Sequence, residues 1–248
     1  FYVEVRLETI LDYLDITSVE YEYIGSKNIT INCFSSISNI SSNCMSWLEQ
    51  KENISECDFS DIKNTLIIVP DSMQIVNVSN RLNFIVCKEP KLTFFSIVNE
   101  FFKSEDYSLG VNKNSIINTS SINENINVGA YCYIGKEVVF EEGVILKNNI
   151  SIEGKVFIGQ GTVINSGTVI GRNSYDFLTD KEGKKIQIPR YGGVYIGRNV
   201  EIGANTVIER GTVDDTKIMN SAKIGNGCVI TSDTLINEEA LIEDGKII

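Results

Sequence analysis

The chain has 248 residues, 22 Lys and Arg against 33 Asp and Glu, and a net charge of -11. That balance argues against nucleic-acid binding, which takes a basic face, although a local basic cluster can still hold a small anion. No apolar run approaches the roughly 18 residues of a membrane span, and with no histidine the commonest general base and metal ligand is missing, so no metal is expected.

Residues 1–103 read as a small α+β domain. VRLETILDYLDI puts Leu7, Ile10, Leu11 and Leu14 on one helical face. NTLIIVPDS and LNFIVCKEP each hold a short apolar strand ending near Pro70 and Pro90. PKLTFFSIVNEFF opens with proline at a first helical position and carries Leu92, Phe95, Val98 and Phe102 on one stripe. Residues 104–115, SEDYSLGVNKNS, read as a linker. The six cysteines, Cys33, Cys44, Cys57, Cys87, Cys132 and Cys228, show no zinc spacing. With no export signal in view they are expected as reduced, buried thiols of a cytoplasmic protein.

From residue 116 a period of six takes over. Ile116, Ile122, Val128, Ile134, Phe140, Leu146, Ile152, Ile158, Ile164 and Ile170 form one run. Ile196, Ile202 and Ile208, then Ile218, Ile224, Ile230, Ile236, Ile242 and Ile248, continue it in shifted phase. At 42% apolar content, 19 apolar residues in 19 places arise by chance on the order of 10⁻⁷. A period of six is a multiple of the strand period and not helical, so each hexad is one short strand plus a corner. Three hexads make a triangular coil, and residues 116–248 are expected as a mainly β, left-handed parallel β-helix. Gly129, Gly135, Gly159, Gly171, Gly197, Gly203 and Gly225 follow the apolar position, where a corner with φ > 0 is expected. Small residues four places after it (Cys132, Val138, Thr162, Thr206 and Cys228) suit a narrow interior. Residues 171–195 break the period as a polar loop from one corner, and 209–217 as a shorter excursion.

The stretch from Ser166 to Ile218, with SGTVIG, KIQIPRYGGVYIG and VEIGANTVIERGTVDDTKI, resembles the UDP-3-O-acylglucosamine N-acyltransferases of lipid A biosynthesis, within the hexapeptide-repeat acyltransferase superfamily. The resemblance implies a homotrimer with sites between subunits and a nucleotide-activated amino sugar as acceptor. It also implies an acyl-CoA or acyl carrier protein thioester as donor, the chain's length favouring coenzyme A. MSWLEQKEN matches the family's uracil-stacking pattern and places Trp47, Gln50 and Asn53 as nucleotide contacts, with Asn53 where the family has tyrosine. A tryptophan there serves either base stacking, worth about 1–3 kcal/mol, or the core.

The family's catalytic histidine aligns with Ser232 and its supporting aspartate with Gly225, so both members of the dyad are replaced. The family also runs on for further coils and a helical tail beyond the counterpart of Ile248. A general base contributes about 10²–10⁴ in rate, and a neutral amine can attack a thioester without one if it is well placed. Asp233, beside Ser232, is a candidate replacement base or a solvated turn carboxylate; Asp214 and Asp215 are others. Arg172, Tyr175, Lys184, Lys185 and Arg190 in the long loop are candidate substrate or phosphate ligands, or simply solvated. Glu209 and Arg210 are candidate substrate ligands or a structural ion pair. The expected activity is N-acyl transfer to a nucleotide-linked amino sugar, assisted by substrate rather than by histidine. The alternative is a catalytically silent relative that binds a nucleotide sugar or partners an active subunit.

Overall fold

The computed structural model describes residues 3–49, 59, 61–73, 75, 81–103, 110–122 and 125–248. The chain divides into two compact units, Phe1–Glu105 and Asp106–Ile248. Part of the expected linker, 104–109, lies outside the described residues.

In the first unit, helix α1 (Leu7–Ile16) buries Leu7, Ile10 and Leu14. Five strands form a sheet in the order Tyr21–Ile24, Leu82–Cys87, Thr65–Pro70, Cys44–Trp47, Cys33–Phe34. The first pair is antiparallel and the others are parallel. The central strand, TLIIVP, is buried at all six positions, the continuous apolar reading of a strand covered on both faces.

Helix α2 (Pro90–Phe101) corrects the expected stripe: it buries Pro90, Thr93, Phe94 and Ile97, while Leu92 and Phe95 are 65% and 42% exposed. The segment carries two apolar stripes one residue apart, and periodicity alone could not choose which faces the sheet. A second correction concerns the thiols. Cys33 and Cys44 face each other across neighbouring parallel strands, Cα atoms 4.5 Å apart, and are joined as a disulfide. Cys87, Cys132 and Cys228 are free and buried, as expected; Cys57 lies outside the described residues.

The second unit is the expected left-handed parallel β-helix. Its three faces hold six, five and six strands among the described residues. Face one contains Ile116–Ile117, Tyr133–Ile134, Ser151–Ile152, Val169–Arg172, Val207–Glu209 and Val229–Ile230. Face two runs from Val138–Phe140 to Leu235–Ile236, and face three from Asn127–Val128 to Leu241–Ile242. Ile134, Ile152, Ile170, Ile208 and Ile230 stack directly on one another and are fully buried. Each such side chain is worth about 1.5–3 kcal/mol of burial.

The interior polar groups are satisfied one coil away. Thr162 donates to the Gly197 carbonyl at 2.8 Å and Thr206 to that of Gly225 at 2.9 Å. The Cys132 and Cys228 thiols meet the Lys147 and Glu243 carbonyls at 3.1 and 3.2 Å.

Two details depart from expectation. At the first rung Ile117, not Ile116, stacks under Ile134, and Ile116 is 59% exposed. Adjacent isoleucines satisfy either phase, so counting by six could not separate them. The left-handed backbone position falls three residues after the inward one, at Tyr131, Asn149, Gly161, Gly167, Asn199, Asn205, Ser221, Gly227, Asp233, Glu239 and Gly245. Of the glycines directly after the inward residue only Gly171 has positive φ. The others are small because coils approach closely: a Cβ on Gly203 would lie 2.4 Å from the Gly225 carbonyl carbon.

Candidate functional site

The coil-to-coil step on face one is 18 residues at Ser151↔Val169, 38 at Val169↔Val207 and 22 at Val207↔Val229. Both extra lengths leave at the same corner, between faces one and two, on successive coils. The next coil turns that corner through Ser232 and Asp233. Three stacked corners therefore meet. Arg210 N–H donates to the Arg172 carbonyl at 2.9 Å, Tyr191 N–H to that of Thr212 at 2.8 Å, and Ser232 Oγ–H to that of Arg210 at 2.7 Å.

The long excursion is more ordered than a loop. Phe177–Thr179 pairs antiparallel with Lys185–Gln187, and Gly183 takes φ 83° in the turn between them.

Beneath the excursions lies a cavity of about 450 Å³ lined by residues of all three corners: Ser174, Tyr175, Asp176, Ile188 and Arg190, then Glu209 and Thr212, then Thr231, Ser232 and Asp233. Ser174, which is buried, donates to Glu209 Oε2 at 2.5 Å and sits against the Ser232 hydroxyl. Ser232 N–H points at the same Oε2 at 3.3 Å. The Arg190 side chain is 3% exposed; it forms an ion pair with Asp176 and donates to the Thr212 hydroxyl.

Asp233 accepts from Thr212 N–H at 2.7 Å and from its hydroxyl at 2.5 Å, so both carboxylate oxygens are engaged. These bonds, first the hydroxyl and then the N–H, with help from the Arg190 charge, hold its pKa below the ordinary carboxylate value. A carboxylate stabilised as an anion is a poorer proton acceptor, so the geometry gives Asp233 the task of fixing the excursion rather than that of a base. Its left-handed backbone, φ 64°, is the corner conformation that aspartate tolerates.

Of the residues singled out in the sequence, Tyr175, Arg190, Glu209, Ser232 and Asp233 come together here. Arg172, Lys184, Lys185 and Arg210 do not line the cavity. Lys184 and Lys185 are exposed on the hairpin, where Lys185 Nζ donates to Thr179 Oγ1 at 2.9 Å. Arg210 is no partner of Glu209; its Nε donates to the Gly192 carbonyl at 2.7 Å. Asp215 accepts from Gly193 N–H at 2.7 Å and lies 3.4 Å from Lys155 Nζ, and neither Asp214 nor Asp215 lines the cavity. Ser174, Asp176 and Thr212 went unnoticed in the sequence because only the stacking of corners 38 and 22 residues apart brings them together.

In the first unit Trp47 is half-buried against Phe94 and Phe95, ring centroids 4.4 and 5.2 Å away. Gln50 and Asn53 lie outside the described residues. A cavity of about 730 Å³ opens at the carboxyl end of the parallel strands and the start of α2, lined by Glu49, Pro70, Lys88, Glu89, Pro90, Lys91, Leu92 and Phe95. Among the described residues Phe95, on the unexpected face of α2, is the aromatic side chain that lines it, and Trp47 packs against that ring. Among the described residues no group of three His, Cys, Asp or Glu side chains could hold a metal, and no helix is long and apolar enough to cross a membrane.

No protein-family model matches the chain, and no curated protein matches it. Among solved structures, a crystal structure of UDP-N-acetylglucosamine acyltransferase aligns at 23% identity and a TM-score of 0.45, over 58% of this chain and 52% of its own. The aligned part is thus about half that protein's length, and the likeness bears on neither substrate nor residue roles.

Proposed function

We propose that the chain is an N-acyltransferase that moves an acyl group from a thioester, of coenzyme A or an acyl carrier protein, to the amine of a nucleotide-linked amino sugar. The observation that carries the reading is the cavity at the three stacked corners, where Ser232 stands in the place the resemblance gives to a histidine. The amine nitrogen attacks the thioester carbonyl, the C–N bond forms, the C–S bond breaks, and the thiol leaves with the amine's proton. No histidine is present and Asp233 is engaged with Thr212, so rate comes from alignment of a neutral amine, a contribution of several kcal/mol. The first unit is the nucleotide-binding part of this reading, with Phe95 as its aromatic contact and Trp47 packed against that ring in support.

Face two supports self-association as a homotrimer. Val139, Phe157 and Tyr195 form an outward apolar column, with the last two rings stacked at 5.2 Å, and Leu235 continues it beyond Lys217. Sedimentation is expected to give three times the 27.6 kDa chain mass, and a monomer mass would remove this part.

A second reading, a silent relative that binds the nucleotide sugar, is favoured by the commitment of the Ser232 hydroxyl to the Arg210 carbonyl. A thiol-release assay with coenzyme A thioesters and UDP- or dTDP-linked amino sugars separates the two. Release that depends on the amino sugar is expected. Nucleotide-sugar binding without release from any pair would replace the enzyme with the silent binder.

A further inference from the structure

The disulfide of the first unit sits where a cross-link adds little to global stability. Cys33 lies on Cys33–Phe34, a two-residue strand at the edge of the five-stranded sheet, paired on one side only, to Cys44–Trp47. The bond spans 11 positions of sequence, and a short loop gains less from closure than a long one. What the bond fixes is the place of the edge strand. The strand's flanks are held by backbone: Asn32 and Ser35 N–H donate to the Asn43 and Met45 carbonyls at 2.9 and 3.0 Å, and Ser46 Oγ–H donates to the Ser35 carbonyl at 2.8 Å.

That strand carries one end of an aromatic series. Successive residues of a strand face opposite sides of the sheet, so Phe34 lies across from the sulfurs, where its ring meets those of Phe94 and Phe102 at centroid distances of 6.2 and 5.5 Å. Phe94 in turn meets Trp47 at 4.4 Å and Phe95 at 5.1 Å, and Phe95 lines the cavity of about 730 Å³. The two sulfurs are unequal. Cys44 is 3% exposed, whereas Cys33 is half-buried at the sheet edge and is the one a reductant reaches first. Ser41 Oγ–H donates to Cys44 Sγ at 3.2 Å, a donor already in place for a departing thiolate. Cys87, Cys132 and Cys228 are buried free thiols, and burial pushes those of Cys87 and Cys132 up, so among the described residues none competes in exchange.

We propose that Cys33 and Cys44 form a reversible dithiol–disulfide switch that sets the packing of the aromatic series beside the first unit's cavity. A thiolate of an external dithiol attacks Cys33 Sγ, the S–S bond breaks, and Cys44 Sγ leaves as a thiolate that then takes a proton. The reductant's second thiolate attacks its own sulfur in the mixed disulfide, which releases Cys33 and closes the reductant's disulfide. Two electrons and two protons pass to the chain, and a small disulfide oxidant reverses the exchange. With the tie open, the edge strand is held by its backbone bonds alone, and Phe34 presses less firmly on Phe94 and, through it, on Trp47 and Phe95. The switch goes beyond the proposed function; only its effect on nucleotide binding rests on that reading.

The test compares the full chain treated with dithiothreitol and with oxidised glutathione, in buffer without denaturant. Both cysteines fall in the tryptic peptide 28–51, so alkylation and mass mapping are expected to find two thiols there after dithiothreitol and none after oxidation. Circular dichroism checks that the reduced chain is folded. Trp47 is the single tryptophan, so acrylamide quenching of its emission reads the aromatic series directly. Reduction is expected to raise the quenching constant and reoxidation to restore it. Cys33→Ser and Cys44→Ala are each expected to quench as the reduced chain does, without response to dithiothreitol. A pair that is reduced only in urea, cysteines that stay as thiols under oxidised glutathione, or quenching that is equal in the two redox states would overturn the proposal. Calorimetry with UDP is the second arm. The disulfide form is expected to bind UDP more tightly by about tenfold or less, since no more than one aromatic contact is loosened. UDP bound by neither form, with quenching that still switches, removes the nucleotide from this cavity and keeps the switch. Equal UDP affinity with quenching that still switches keeps the switch and separates it from binding.

Discussion

Asp233 illustrates how much a single side chain's partners alter its chemistry. By position, beside the serine that replaces a histidine, it invites the role of base. By contact it is a clamp, with both oxygens taken by Thr212 and its pKa drawn below the ordinary range. Asp233→Asn is therefore expected to lower the acyl-transfer rate by about tenfold or less, through loosening of the 209–217 excursion. A loss in the range of about 10²–10⁴, which removal of a general base produces, would return Asp233 to catalysis. Glycines can be sorted in the same way. A Cβ on Gly203 meets backbone of the next coil at 2.4 Å, whereas Gly227 has φ 65° and nothing within 4 Å of its would-be Cβ. In urea denaturation Gly203→Ala should cost about 3 kcal/mol or more, since backbone cannot yield without parting the coils. Gly227→Ala should cost about 1–2 kcal/mol, the left-handed penalty alone. Equal costs would mean that spacing between coils is not what holds glycine at position 203.

Elements were legible in the sequence where one physical pattern had no rival. The hexads gave the β-helix because an inward apolar residue every sixth place fits no other regular structure, and α1 gave its stripe because its other face is charged. Where two patterns competed, the sequence was silent. Ile116 and Ile117 offered two phases, and α2 offered two apolar stripes. The same applies to the corner cavity: its lining comes from segments separated by 38 and 22 residues, and only the coil count of the folded prism brings them into line. The α2 outcome has a consequence for nucleotide binding. Phe95 is 42% exposed and lines the cavity beside the strand ends, while Trp47 is packed beneath it. Phe95→Ala should weaken nucleotide binding by about 1–3 kcal/mol. Trp47→Ala should weaken it less and act through lost support for Phe95. An unchanged affinity in Phe95→Ala would take the nucleotide away from this cavity.

Across the whole molecule the coils are tied together by repeated contacts at the corners, and one of these is sensitive to acid. Glu141 Oε2 accepts from Gln160 N–H at 2.9 Å on the next coil, and the carboxylate is held bidentately by Arg198 of the coil beyond, at 2.8 and 2.9 Å. The Arg198 hydrogen bonds, then the Gln160 N–H, lower the Glu141 pKa from 4.5 to about 2. The sign follows from linkage: the unfolded chain binds a proton near pH 4.5 that the folded chain refuses until about pH 2. Glu141 therefore contributes its full stabilisation above pH 4.5 and loses it as the pH falls from there towards 2. The carboxylate is at the surface, so salt screens the contribution and it is smaller than the shift alone would suggest. In Glu141→Gln, melting temperature measured between pH 6 and pH 3 should fall less steeply than in the native chain, with the two curves closest at the acid end. Parallel curves over that range would show that this three-coil clamp does not couple protonation to the stacking of the prism.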